Sequence, residues 1–298
     1  MVMLDIKMKL GKKIKTLRLN KGLTQAEVCD DQSELTIRQL VRIENGQVIP
    51  TIPKLMYLSN KLDIKIQDLV NIDQSEVPKR YLELKNKLIR YHTYGNEGRI
   101  FIQDQMFDEI YDRFYDDLPE EEQLLVELLQ VQSNIFSSSN PGYGLGVIEK
   151  YLRQILKKDE YSYNDLLIIN IYFLCCSLGL ENKQYFNELS KKVLLGIDYS
   201  DLERLYLLEC ILLSILLQKN PKEYLTYTSL LRQIIEASGS YQHKPMVYAF
   251  EARYYIKVEH NKEYMSALYD KAISFAKMLN DDILVKKLEI EKESELAT

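Results

Sequence analysis

Two short stretches between residues 23 and 46, LTQAEV and SELTIRQLVRIENG, carry side chains able to read nucleic-acid bases. In the second, Ile37, Leu40 and Ile43 recur at helical spacing and supply an apolar back. Thr36, Arg38, Gln39 and Arg42 are left for the front. Arginine matches O6 and N7 of guanine, glutamine matches N6 and N7 of adenine, and threonine can touch a thymine methyl. Gln25 opens the preceding helix, where its amide and the helix N–H groups can clasp a phosphate. Lys12, Lys13, Lys15 and Arg18, with Lys54, would neutralise backbone charge. A helix-turn-helix needs this pair of parts, one helix across the phosphates and one in the major groove.

Other chemistry finds little support. His92, His243 and His260 stand beside no Ser or Cys nucleophile motif, and neither GxxxxGK[ST] nor HExxH occurs. Cys29, Cys175, Cys176 and Cys210 form no CxxC pair and sit near no His at metal-ligand spacing. They read as buried free thiols in a reducing compartment. The expectation is no enzyme, no metal and no cofactor.

The elements that must position the reading helix are short. Leu10, Ile14 and Leu17 mark a first helix that stops at Lys21-Gly22. Thr24 caps a second helix running through Cys29, with Glu27 three residues on as its capping-box partner. A third runs from about Thr36 to Asn45 and Gly46 closes it. After Pro50 and Pro53 a fourth buries Leu55, Leu58 and Leu62, and Ile66 to Val70 forms a fifth. The chain divides as a DNA-binding domain over 1–71, a linker over 72–78 and a helical body over 79–298.

In that body, helical patterns follow one another in pairs. Pairs begin near Glu122, Tyr163, Asp201 and Lys244, a period of about 40 residues that suggests an α-solenoid. The clearest unit is residues 247–279, where Ala249, Ala252, Ala267, Ala272 and Ala276 fall at close-packing spacing. The fold class is all-α, a helix-turn-helix bundle followed by a tetratricopeptide-like solenoid.

Composition agrees. Only 11 glycines and 7 prolines interrupt 298 residues, and the 22 tyrosines suit helices with wet or ligand-facing rims. The net charge is −5, yet the first 72 residues hold 12 basic and 8 acidic side chains, a net of +4. A basic head on an acidic body is expected where one domain meets phosphate and the other does not. The longest apolar run, Leu205 to Leu217, is interrupted by Glu209 and too short to span a bilayer. The chain reads as soluble and cytoplasmic, with no membrane partner.

The string Leu10-Gly11, Leu17-Arg18, Gly22-Leu23-Thr24-Gln25, Leu40, Arg42-Ile43-Glu44, Gly46 and Pro50 resembles the Cro/C1-type, or Xre-like, helix-turn-helix family. It departs at QSEL (32–35), where a shorter Leu-Gly-Val turn is usual. Over nearly its full length the chain resembles the Rgg-type, peptide-pheromone-sensing regulators of the RNPP family, and within them the ComR competence regulators of streptococci. The resemblance rests on SELTIRQLVRIENG (33–46), YLELKNKLIRYHTY (81–94), DDLPEEEQLL (116–125), SYNDLLIINIYF (162–173), YQHKPMVYAFEARYYI (241–256) and YDKAISFAKMLND (269–281). It implies a tetratricopeptide fold that binds a short, aromatic-rich secreted peptide in a groove.

Residue by residue, Lys87, Arg90, Tyr94 and Arg99 interleave cations and rings that could hold a peptide's carboxylates and stack on its aromatic groups. A solvated helix face with a linker is equally open for that stretch. Asn170 has two roles open to it: a pair with peptide backbone, which the resemblance implies, or a bond to a neighbouring helix.

Two functional readings follow. In the first, the body binds a peptide, after which the chain binds a palindromic double-stranded promoter site as a homodimer, with the C-terminal helix around Asp281–Glu295 at the dimer surface. In the alternative, a helix-turn-helix repressor docks a protein partner on its repeats. An enzyme or toxin–antitoxin component is a weaker third. The acidic run Asp116, Asp117, Glu120, Glu121, Glu122 adds an autoinhibitory expectation, with Glu120 holding Arg38 in the absence of ligand. Acids that simply favour a helix start are the equal alternative.

Overall fold

The computed structural model describes residues 2–70, 77–195 and 197–297. Among the described residues there is no β-strand, so the all-α class stands. The chain separates into two compact units, Met1–Pro78 and Lys79–Thr298. The linker expected over 72–78 falls mostly on residues 71–76, outside the described residues.

The first unit holds α1 (Val2–Asn20), α2 (Gln25–Cys29), α3 (Ile37–Glu44), α4 (Ile52–Lys61) and α5 (Ile66–Val70). Their apolar stripes meet in one core of Leu10, Ile14, Val28, Leu35, Leu40, Ile43, Leu58 and Leu62. Each such side chain taken out of water contributes roughly 1.5–3 kcal/mol before conformational entropy is counted. α1 crosses α3 so closely that a Cβ on Gly11 would run into the Ile43 carbonyl oxygen, which is why glycine stands inside this helix. Gly46 ends α3 at φ +66°, a left-handed conformation that glycine adopts without steric cost.

The second unit is a run of helical hairpins: α6 (Lys79–Arg90) with α7 (Glu97–Arg113), α8 (Glu120–Ser138) with α9 (Gly142–Ile155), α10 (Tyr163–Ser177) with α11 (Phe186–Leu195), α12 (Leu202–Leu216) with α13 (Tyr224–Ser238), and α14 (Lys244–Lys257) with α15 (Lys262–Met278). α16 (Asp282–Ala297) packs on α15 and caps the stack. The first pair is one that the repeat period did not include; its polar surface residues mask the spacing.

α10 is buried on every side from Asp165 to Cys176, packed against α8, α9 and α12. An all-round apolar helix belongs at the centre of a domain. The loop after α6 is tied across the repeats. Gln242 Nε2 donates to the Arg90 carbonyl oxygen at 2.9 Å. Arg99 donates both to the His92 carbonyl oxygen, at 2.9 Å, and to Asp281 at 2.8 Å. The helix ends that flank this loop thus bond to chain segments 152 and 182 residues away.

A reading helix and a lined groove

The reading helix is fixed from behind. Thr36 caps α3, its hydroxyl accepting from the Gln39 N–H while the Gln39 side-chain oxygen accepts from the Thr36 N–H. Thr24 and Glu27 do the same for α2. The longer turn replacing Leu-Gly-Val is accommodated by left-handed residues Asp30 and Gln32 (φ +49° and +64°), and it delivers Leu35 fully buried into the core. Arg38 and Arg42 project into solvent from α3, as does Gln39. Thr36 and the oxygen of Gln39 are occupied in the cap, which leaves the two arginines and the Gln39 amide nitrogen as the open donors.

Glu44 anchors the arrangement. It is 4% exposed and accepts two bonds from the Arg18 guanidinium, at 2.7 and 3.0 Å, and one from Gln25 Nε2 at 2.8 Å. Arg18 also donates to the Leu23 carbonyl oxygen at 2.8 Å. The hydrogen bond to Glu44, acting against burial, raises the guanidinium pKa further. The expectation that Arg18 neutralises phosphate is therefore wrong: its planar fork is spent on holding α1 to the end of α3. The Gln25 side-chain amide is likewise turned to Glu44. Lys12 is exposed, and Lys13 and Lys54 are half-buried.

In the repeat unit a groove of about 430 Å³ is lined by α6, α7, α8, α10, α12, α14, α16 and the 91–95 loop. Apolar walls (Leu88, Phe107, Leu129, Leu213, Leu217) carry a few polar groups between them, the usual build of a ligand pocket. Tyr94 and Asn170 line it. Asn170 is 1% exposed and its Oδ1 accepts from Ser214 Oγ at 2.8 Å, so the helix-to-helix bond is made.

The cations stand elsewhere. The Arg90 guanidinium lies 4.8 Å from the Tyr206 ring centre, and Arg99 lies 5.5 Å from that of Tyr94 while paired to Asp281. Lys87 is exposed and its charge acts on Glu109 of α7. None of the three lines the groove.

Sequence reasoning missed several lining residues. Gln103 accepts from Ser133 Oγ at 2.5 Å. Gln132 Oε1 is buried without a hydrogen-bond partner among the described residues. At one wall Cys210, His92 and His243 meet. His243 Nδ1 bonds Glu209 Oε2 at 2.7 Å, and Ser238 Oγ donates to the other Glu209 oxygen at 2.6 Å. Burial opposes charge on His243, but the Cys210 sulfur and Glu209 outweigh it and push its pKa up to about 9. Burial, then the charge of His243, hold His92 down to about 3. His92 is thus the neutral acceptor, 3.1 Å from His243 Nε2 and 3.0 Å from Tyr206 Oη. The spacing of these residues in sequence, 33 between Cys210 and His243 and 151 between the two histidines, hides the cluster.

A helix-turn-helix unit joined to a grooved helical-repeat unit is the architecture of ligand-controlled transcription regulators. The chain belongs to the ComR family: the ComR tetratricopeptide model matches residues 78–292 and a helix-turn-helix model matches residues 14–69. ComR from S. thermophilus, solved in complex with DNA and its signalling peptide ComS, is 32% identical, with 96% of this chain and 99% of that chain covered and a TM-score of 0.71. The competence regulator ComR from Streptococcus vestibularis, solved with its cognate signalling peptide XIP, is 33% identical over 97% of this chain and 99% of that one, TM-score 0.71. PlcR from Bacillus thuringiensis shares the fold at 18% identity, with 98% of this chain and all of that one covered and a TM-score of 0.55. No curated protein matches the chain in sequence.

Proposed function

We propose that this protein is a cytoplasmic quorum-sensing transcriptional regulator that takes a short, aromatic-rich peptide into the repeat groove and then binds a palindromic promoter site as a homodimer. The observation that carries this reading is the groove itself: an apolar trough with amide and hydroxyl groups along its walls, in a chain whose relative was crystallised with both DNA and a signalling peptide. Such walls suit a peptide, whose side chains take the apolar patches while its backbone needs scattered donors and acceptors.

Arg38, Arg42 and Gln39 read bases, with Thr36 setting the helix start. Gln25, Lys12, Lys13 and Lys54 are assigned to the phosphates, Gln25 through the N-terminal end of α2. Tyr94 and Asn170 serve inside the groove. Arg90 and Arg99 supply charge around it for peptide carboxylates, with a lesser share for Lys87. The domain limits 1–71 and 79–298 carry these two tasks, and the helix around Asp281–Glu295 is assigned to the dimer. Control of competence genes follows the relatives named as competence regulators.

The test is a DNA-shift titration on a palindromic promoter fragment, with and without synthetic aromatic-rich peptides, combined with light scattering. The expected result is two chains per duplex, formed tightly only with peptide. One chain per duplex, or binding indifferent to every peptide, would remove this reading.

A further inference from the structure

Of the four cysteines, Cys29, Cys175 and Cys176 are buried in packed cores; Cys210 is partly exposed and lines the groove. Its Sγ lies 3.9 Å from His243 Nε2. That imidazole is 3% exposed and held from its other side by Glu209, which is 0% exposed. A buried carboxylate that orients an imidazole toward a thiol is the arrangement that makes a sulfur nucleophile. The same groove holds the buried Gln132 Oε1, which has no hydrogen-bond partner among the described residues and would accept from an amide N–H. We propose that Cys210, served by His243 and oriented through it by Glu209, is a thiol–disulfide exchange site for low-molecular-weight disulfides whose thiols carry amide groups, of the glutathione kind.

The step balances as follows. The proton that Cys210 gives up sits on His243 Nε2, and the sulfur's electron pair attacks one sulfur of R–S–S–R. A Cys210–S–S–R bond forms, the old S–S bond breaks, and the leaving R–S⁻ takes the proton from His243 to depart as R–SH. Cys210 is oxidised and one half of the small disulfide is reduced, so no further oxidant enters. His92 tempers the site, because its Nε2 competes for the same His243 proton from 3.1 Å. Other charges face the cluster: Arg90 of α6, Arg99 of α7, and the hydroxyls of Tyr94, Tyr163 of α10 and Tyr206 of α12. An adduct at Cys210 would occupy the groove and so compete with its ligand, a consequence that rests on the peptide-binding reading; the exchange chemistry does not.

The full-length chain is incubated with glutathione disulfide and the adduct located by peptide mass mapping. One glutathionyl group is expected, on Cys210, faster by at least tenfold than on Cys29, Cys175 or Cys176, and removed by dithiothreitol. Glu209→Gln and His243→Gln should each slow it at least tenfold while circular dichroism shows an unchanged helix content. If either variant fails to fold, the wild-type rate decides. Adduct elsewhere, or an unchanged rate in both folded variants, would each overturn the assignment. Peptide binding need not be measured, so loss of this site leaves the functional reading standing, and the reverse.

Discussion

Among the described residues two glutamates are buried, one in each unit, and they are answered by different partners. Glu44 in the helix-turn-helix unit meets the guanidinium of Arg18, which is charged at every accessible pH. Glu209 in the repeat unit meets the imidazole of His243, which can gain or lose a proton. The first pair fixes the position of the reading helix once and for all. The second sits in the wall of the groove. Permanent charge where geometry must not vary, and titratable charge in a groove wall, is the lesson of the contrast.

The largest effect expected from breaking the comparison is on stability. Glu44→Ala leaves Arg18 buried without its partner, and Arg18→Ala leaves Glu44 so. Each should cost about 3–5 kcal/mol, since an unpaired buried charge is what the substitution creates. Urea unfolding should show the loss, and it should be the same at pH 6 and pH 9. A cost under 1 kcal/mol would mean that Glu44 is solvated when alone.

The repeat unit should behave otherwise. His243 is raised in the folded state to about 9, so its contribution is complete below about pH 6.5 and is lost as the pH climbs to 9. His92 is lowered to about 3, so its contribution is present above about pH 6.5 and is lost as the pH falls. The two slopes oppose and place the maximum stability of this unit near neutral pH. Over the alkaline limb the change is roughly 3–4 kcal/mol, at about 1.4 kcal/mol per unit of pKa shift. Unfolding midpoints from pH 5 to 9.5 measure it, and His243→Gln should flatten the alkaline limb. An alkaline limb unaffected by that substitution would assign the slope to other groups.

The two units were also unequally legible in the sequence. The caps Thr24 and Thr36, the stop at Gly46 and the stripe Leu40/Ile43 are local signals, readable within four residues, and the structure contains each of them. Arg18 was misread because an arginine on a basic helix resembles its neighbours until Glu44, 26 residues on, is seen to face it. The groove was legible only at Tyr94 and Asn170. Cys210, His243, Gln103 and Gln132 lie on helices whose lining and core faces carry the same mixture of apolar residues. Only the packing of distant hairpins brings them together.

Base reading should respond less than stability does. Arg38→Ala and Arg42→Ala should each weaken specific DNA binding by about 1–3 kcal/mol if the arginine holds guanine by both nitrogens. Both side chains are exposed, so folding should be unaffected. Lys12→Ala should instead lower affinity evenly across sequences and reduce the salt slope. A gel-shift series in which Arg38→Ala changes neither affinity nor sequence preference would require a different docking of α3.

The smallest expected effect concerns the masking of the reading helix. Arg38 is an exposed cation on α3, and Glu120 is an exposed carboxylate opening α8, followed by Glu121 and Glu122. Glu122 is already engaged, accepting from Lys85 at 3.0 Å and from Tyr81 Oη at 2.6 Å, so it is a poor candidate to hold a second cation. Glu120 has no such bond among the described residues, and we propose it as the acid that would hold Arg38 in a peptide-free state. Guanidinium that pairs with a carboxylate is withheld from guanine or phosphate. An exposed pair contributes only ~0–1 kcal/mol, so it biases the masked state by about fivefold at most and needs companion contacts to hold it. Glu120→Ala, or charge reversal to Lys, should therefore raise peptide-free DNA binding up to about fivefold and leave the peptide-saturated level as it was. Binding by the Glu120→Lys protein that stays at the wild-type peptide-free level, with normal response to peptide, would assign Glu120 to the helix start alone, where an acid is favoured by the N-terminal end of the helix dipole.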